Sequence, residues 1–195
     1  GTSDITEAGG TITYTATLTN PSQGDTVVTL ANGETITISD GNTTGTVDVT
    51  VSANEDVYND ASTITTSIVS ATGGNFESLV ADTSTVSTNV NDTIDTTTVS
   101  LSTSDVNEDD LSVTFTATLS NVAQTDVTIT TEHGDITVLA GQTQGTITVN
   151  TQDSDVYNDA DTISATVSNV VGGNFEAVDF SNATTTANIT DTIDT

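Results

Sequence analysis

The chain has 195 residues with 28 Asp and Glu, no Lys or Arg, one His and no Cys, for a formal net charge of −28 at neutral pH. That charge repels nucleic acid and anionic membrane surfaces, because nothing in the chain neutralises a phosphate. The missing Cys excludes disulfides and thiol chemistry, and there is no run of about 18 apolar residues to span a membrane as a helix.

In chain order the apolar residues alternate with Thr and Ser at a period of two, the mark of half-buried strands. Ile12, Tyr14, Ala16 and Leu18 make the first such run; Val27–Leu30, Ile36 with Ile38, Val47 with Val49, Ile64 with Ile68, and Val90 follow. Thr97–Ser102 opens a second series: Val113, Phe115, Ala117 and Leu119, then Ile136 with Val138, Ile147 with Val149, Ile163 with Val167, and Ile189. Turn signals such as Asn32-Gly33, Asp40-Gly41 and Gly73-Gly74 separate the runs, and no segment has a helical period.

The second series repeats the first. Asp56-Val57-Tyr58-Asn59-Asp60-Ala61 recurs 99 positions later at Asp155 to Ala160, and Gly73-Gly74-Asn75-Phe76-Glu77 recurs at Gly172 to Glu176 with the same offset. Asp92-Thr93-Ile94-Asp95-Thr96 and Asp191 to Thr195 close the two copies, whereas near their starts the offset is 101, as from Glu7 to Glu108. The pattern predicts an all-β chain of two tandem immunoglobulin-like Greek-key β-sandwich domains with about seven strands each, occupying residues 1–96 and 97–195. The first copy has no clear equivalent of Thr97–Ser102, so its strand A is expected to be truncated.

The acids gather where such a sandwich brings its A–B and E–F loops beside the exit of its last strand. In the first copy these are Glu7, then Glu55, Asp56 and Asp60, then Asp92 and Asp95. In the second they are Glu108, then Asp153, Asp155 and Asp159, then Asp191 and Asp194. Carboxylates this close repel one another unless protonated or bridged by a cation. Ca²⁺ is the natural candidate, since it takes six to eight hard oxygen ligands in flexible geometry, and neither His nor Cys is available for zinc or copper. Asp126 or Asn174 of the second copy is expected to complete a shell at the linker and freeze the hinge between copies. The alternative is a solvated acidic surface without metal, as in salt-adapted proteins.

Other residues read as structural. Tyr58 and Tyr157 are expected to anchor sandwich corners, Phe76 and Phe175 to plug one end of each core, and the double glycines to turn with positive φ. His133 is expected to be a solvated turn residue. Catalysis has little to work with, because no base partners the many hydroxyls, no cation stabilises an oxyanion, and no Trp lines a sugar cleft.

The strand led by Glu7, the Asp-Val-Tyr-Asn-Asp-Ala and Gly-Gly-Asn-Phe-Glu motifs and the Asp-Thr-Ile-Asp-Thr linker together resemble the extender repeats of giant bacterial RTX adhesins. More distantly, Glu7 with the Asp-Val-Tyr loop is similar to Calx-β domains, and the linker acids to cadherins. The resemblance implies a calcium-rigidified spacer on the bacterial cell surface or secreted from it, holding distal binding domains away from the cell. It also implies a monomer whose partners are neighbouring copies of the same repeat, without nucleic acid and without direct membrane insertion. A ligand-binding or homophilic adhesion module is the alternative.

Overall fold

The computed structural model describes residues 3–110, 112–151 and 160–192. Every regular element among them is a strand, as the alternating pattern requires. The chain divides into two compact units: unit 1 is Gly1–Asp56 with Asp60–Thr93, and unit 2 is Val57–Asn59 with Ile94–Thr195.

Unit 1 holds β1 (Ile5–Thr6), β2 (Gly10–Thr17), β3 (Thr26–Leu30), β4 (Thr35–Ile38), β5 (Thr44–Val51), β6 (Ser62–Thr66), β7 (Ile68–Gly73) and β8 (Val86–Asn91). One layer is β1-β8-β6, continued past Ser67 by β7-β3-β4; the facing layer is the pair β2-β5. The run expected from Ile64 to Ile68 is thus two strands, broken at Ser67, with a register shift where β7 meets Leu30. Inward-facing Ile12, Tyr14, Ala16, Val28, Leu30, Ile36 and Ile38 form the core between the layers.

Unit 2 holds β9 (Thr96–Ser102), β10 (Val106–Asn107), β11 (Ser112–Leu119), β12 (Val127–Thr131), β13 (Gly134–Val138), β14 (Gln144–Asn150), β15 (Asp161–Gly172), β16 (Ala177–Asp179) and β17 (Thr184–Thr190). Its layers are β10-β17-β15-β12-β13 and β14-β11-β9-β16. Both are complete β-sheets of the kind a sandwich needs, and Val113, Phe115, Ala117, Val127, Ile129, Ile136 and Val138 are sealed between them.

The paired glycines do turn with positive φ: 90° and 73° at Gly73 and Gly74, 101° and 83° at Gly172 and Gly173. A Cβ at Gly172 would collide with the carbonyl oxygen of Asp126, so close approach as well as φ demands glycine there. Phe175 is buried as expected of a plug, while Phe76 is only half-buried.

Two expectations need correction. Tyr58 does not anchor the first sandwich; it belongs to unit 2, where its ring stacks on Phe175 at 5.7 Å and its hydroxyl donates to Val122 O at 2.6 Å. His133 is not a freely solvated turn residue either. It is half-buried, its ring lies parallel to Phe115 at 5.6 Å, and its Nε2 sits 2.7 Å from Ser164 O. The flat imidazole covers an aromatic face that would otherwise meet water, which alternation alone does not reveal.

Candidate metal centre

Glu7 sits at the junction of β1 and β2, and the backbone fixes it there before any side chain acts. β1 runs parallel to β8, pairing Ile5 with Val90 and Thr6 with Asn91. The Glu7 N–H extends that ladder to Asn91 O at 3.0 Å, and Glu7 O accepts from Asn54 N at 2.8 Å. A tight turn follows, closed by Gly9 N to Thr6 O at 3.0 Å. The side chain is therefore delivered inward, and Glu7 is only 4% exposed.

Its two oxygens have different fates. Oε1 accepts from the Thr93 N–H at 2.8 Å and the Thr93 hydroxyl at 2.9 Å. Oε2 is buried without any hydrogen-bond partner. An ionised carboxylate oxygen left dry and unpaired is among the costlier arrangements a core can hold. The same Thr93 hydroxyl lies 2.7 Å from Glu55 Oε2, yet one hydroxyl proton serves only one of these two carboxylates at a time.

The E–F loop supplies further acids. Oxygens of Glu7, Asp56 and Asp60 all lie within 4.8 Å of one another. Asp92, at the exit of β8, accepts from Asp60 N at 3.2 Å, and Asn54 Nδ2 donates to Asp60 Oδ2 at 3.4 Å. Asp60 feels the crowding: partial desolvation first, then the charges of Asp56, Asp92 and Glu7, hold its carboxyl above the usual aspartate range. Oxygens no more than 4.8 Å apart can share one Ca²⁺, whose bonds run about 2.3–2.6 Å.

Unit 2 rebuilds the same clamp. Glu108 is 4% exposed, its N–H donates to Thr190 O at 3.0 Å, and its Oε1 accepts from Thr192 N at 2.7 Å and from the Thr192 hydroxyl at 2.8 Å. β10 runs parallel to β17 just as β1 does to β8. The turn differs, because Asp110 stands where unit 1 has Gly9, and its carboxylate accepts from Asn107 N at 2.9 Å. Asp191 is half-buried beside Thr192, while Asp153, Asp155, Asp159 and Asp194 lie outside the described residues.

Of the remaining sequence candidates, Glu55 joins the unit 1 group through Thr93. Asp95 does not; it is exposed in unit 2, where its N–H donates to Glu176 Oε2 at 2.7 Å. Asp126 follows β11, away from Glu108, and ties two loops by accepting from Ala140 N at 2.8 Å. Sequence reading missed Thr93 and Thr192, although the repeated Asp-Thr-Ile-Asp-Thr motif contained both. Thr was common enough in the chain to pass as strand filler.

The profile of the LapA domain family matches residues 1–93 and again residues 95–192. No curated protein matches the chain. A solved structure named "Biofilm associated protein - BSP domain" is 15% identical with a TM-score of 0.27, covering 100% of this chain and 30% of that one, so the chain spans less than a third of that structure's length. Matched almost end to end in both copies, the chain belongs to the LapA domain family, a cell-surface adhesin-related type of domain.

Proposed function

We propose that the chain is a calcium-rigidified spacer: tandem repeats of a long bacterial surface adhesin that hold its distal binding domains away from the cell. The observation that carries this reading is Glu7 Oε2, buried and unpartnered beside Asp56 and Asp60. A divalent cation supplies what that oxygen lacks and cancels the repulsion among the acids around it. Hard carboxylate oxygens without any nitrogen or sulfur donor suit Ca²⁺, Mg²⁺ or Mn²⁺ rather than zinc or copper, and the flexible geometry of a site built largely from loops favours Ca²⁺ among them.

The mechanical consequence follows from what Glu7 holds. Thr93 is the last residue of unit 1, and Glu7 grips it by both backbone and hydroxyl. An ion on the other oxygen of Glu7 locks the residue that locks the chain's exit, together with the E–F loop through Asp56 and Asp60. Each repeat thereby turns from a charge-strained sandwich into a stiff one, and stiff repeats in series make a spacer.

Thermal unfolding decides this. In Ca²⁺ at about a hundred times its dissociation constant, each site that binds only the folded state adds about 2.7 kcal/mol. EDTA is expected to lower the melting temperature sharply, with NaCl at matched or higher ionic strength failing to restore it. Full rescue of the EDTA-treated protein by NaCl sinks the proposal and leaves charge screening as the explanation.

A further inference from the structure

We infer that Tyr58 and Asn59 are positioning residues for the cation centre: anchoring the tip of the E–F loop on the turn at residues 172–176 sets where Asp56 and Asp60 stand. The inference rests on the calcium reading above and adds the part of the chain that builds the site. Val57–Asn59 counts with unit 2, whereas Asp56 and Asp60 on either side of it count with unit 1. Each acid is thus the immediate chain neighbour of an anchored residue.

The anchor is dense for three residues. Tyr58 and Phe175 form an antiparallel bridge, in which Glu176 N donates to Val57 O and Asn59 N to Asn174 O, each at 3.0 Å. Asn59 Nδ2 donates to Phe175 O at 2.6 Å, and Asn174 Nδ2 lies 3.4 Å from Asn59 O. The Tyr58 hydroxyl donates to Val122 O, and its ring stacks on Phe175, which is itself buried. The receiving turn suits this task. Gly172, Gly173 and Asn174 have consecutive positive φ values of 101°, 83° and 61°, a left-handed run that glycine and, less readily, asparagine adopt. Asn174 Nδ2 also donates to Gln124 Oε1 at 2.7 Å, which ties the turn to a neighbouring loop.

Charge explains why an anchor is needed. Oxygens of Glu7, Asp56 and Asp60 lie within 4.8 Å of one another, so without an ion each carboxylate repels the others. Asp56 and Asp60 lie between β5 and β6, outside any strand, and a loop free to move would swing both away from Glu7. Because Val57 O and Asn59 N are held, Asp56 and Asp60 stay close although their charges oppose it. Glu7 needs no such help, since the ladder from β1 to β8 holds it. A cation then meets ligands already gathered, and less of its affinity is lost to ordering them.

Ca²⁺ titration of the intact chain, read from amide resonances, tests this site by site. Thr93 and Asp60 report on the Glu7 centre, since their N–H groups bond Glu7 Oε1 and Asp92 Oδ2; Thr192 reports on Glu108. Tyr58→Ala is expected to raise the Ca²⁺ concentration at half-saturation of Thr93 and Asp60 about tenfold, a usual size for coupling between sites, and to leave Thr192 unchanged. Tyr58→Phe keeps the stacked ring and is expected to recover most of the loss. Coupling is reciprocal, so in the parent chain the Asn59 and Glu176 amides are expected to exchange about tenfold more slowly in saturating Ca²⁺ than in EDTA. That second readout needs no variant to fold. Equal half-saturation in the parent and Tyr58→Ala chains, an equal loss at Thr192, or tip exchange that ignores Ca²⁺ overturns the inference and leaves the calcium reading standing. Parent Thr93 and Asp60 resonances that do not respond to Ca²⁺ overturn both.

Discussion

Units 1 and 2 carry the same motifs at a near-constant offset, yet their interiors differ in kind. Unit 2 seals one part of its core with Val113, Phe115, Ala165 and Ala187, all fully buried and all apolar. The corresponding positions of unit 1 are Ile12, Tyr14, Thr66 and Thr88, so three of four carry a hydroxyl. Among the described residues the smaller layer of unit 2 is β14-β11-β9-β16 and that of unit 1 is β2-β5. A repeat can therefore keep its polar pole while changing the polarity of its core. The Glu7–Thr93 and Glu108–Thr192 clamps agree to within a tenth of an ångström in each bond, because they hang on parallel backbone ladders that both units retain. Core polarity instead varies with the side chains at single positions, Tyr14 against Phe115 and Thr66 against Ala165.

The largest test of this contrast acts on the shared pole. Glu7→Gln removes a buried charge whose Oε2 has no partner. In EDTA the variant is expected to make unit 1 more stable than the parent, since a neutral amide costs less to bury than a carboxylate. In saturating Ca²⁺ the sign reverses, and unit 1 loses about 2.7 kcal/mol at a hundred times the dissociation constant. Because the chain divides into two compact units, each is followed by exchange of its own core amides rather than by one global transition. A Glu7→Gln chain equally destabilised in both buffers points to a structural carboxylate and removes the ion from the account.

Much of this was legible in the sequence. Period-two alternation locates the longer strands of each copy but not the two- and three-residue β1, β10 and β16, which are too short to alternate, and the Glu7 and Asp56–Asp60 motifs mark the pole that the structure assembles. What was hidden follows from interactions with no sequence period. The strand break at Ser67 and the stacking of His133 on Phe115 depend on which neighbours cover each surface. Membership of Val57–Asn59 in unit 2 is another such case, since a motif repeated at Asp155 suggests identical surroundings for both copies. Buried Thr66 and Thr88 look like solvent-facing strand threonines, because in alternating sequences Thr serves on either face.

A smaller effect tests the packing contrast itself. Tyr14→Phe installs the residue that unit 2 has at Phe115, and it deletes a buried hydroxyl that has no partner. Removing such a group is expected to stabilise unit 1 by about 1 kcal/mol. Thr66→Ala, copying Ala165, acts in the same direction. Chemical denaturation with exchange detection checks both, and unit 2 amides provide the internal reference. A Tyr14→Phe chain that is less stable than the parent means the hydroxyl is used, and the polar interior of unit 1 is then an asset rather than a defect.

The smallest effect is a difference in acid response, read in EDTA. Desolvation and then the charges of Asp56, Asp92 and Glu7 raise the folded pKa of Asp60 above its unfolded value. Folded unit 1 therefore binds this proton more tightly than the unfolded chain does, and its stability rises as pH falls from neutral through the raised pKa towards the ordinary aspartate range near about 3.9. The described carboxylates of unit 2 with shifted pKa values behave oppositely. Glu132 accepts from Thr166 N, Asp105 from Asn188 N and Asp179 from Ser181 N, and each is thereby held below its usual range. Their contribution is intact above the ordinary carboxylate range and is lost only as pH falls through their lowered values. Asp82, held down by Ser84 N, gives unit 1 the same late loss. Between neutrality and about pH 4, exchange-derived stability is thus expected to climb in unit 1 of the EDTA-treated chain, and Asp60→Asn should flatten that climb. Added Ca²⁺ should invert it, since protons and the ion then compete for the same oxygens. A unit 1 stability that falls monotonically with acid in EDTA would show that its carboxylates do not repel one another, and the cation would lose its reason to bind.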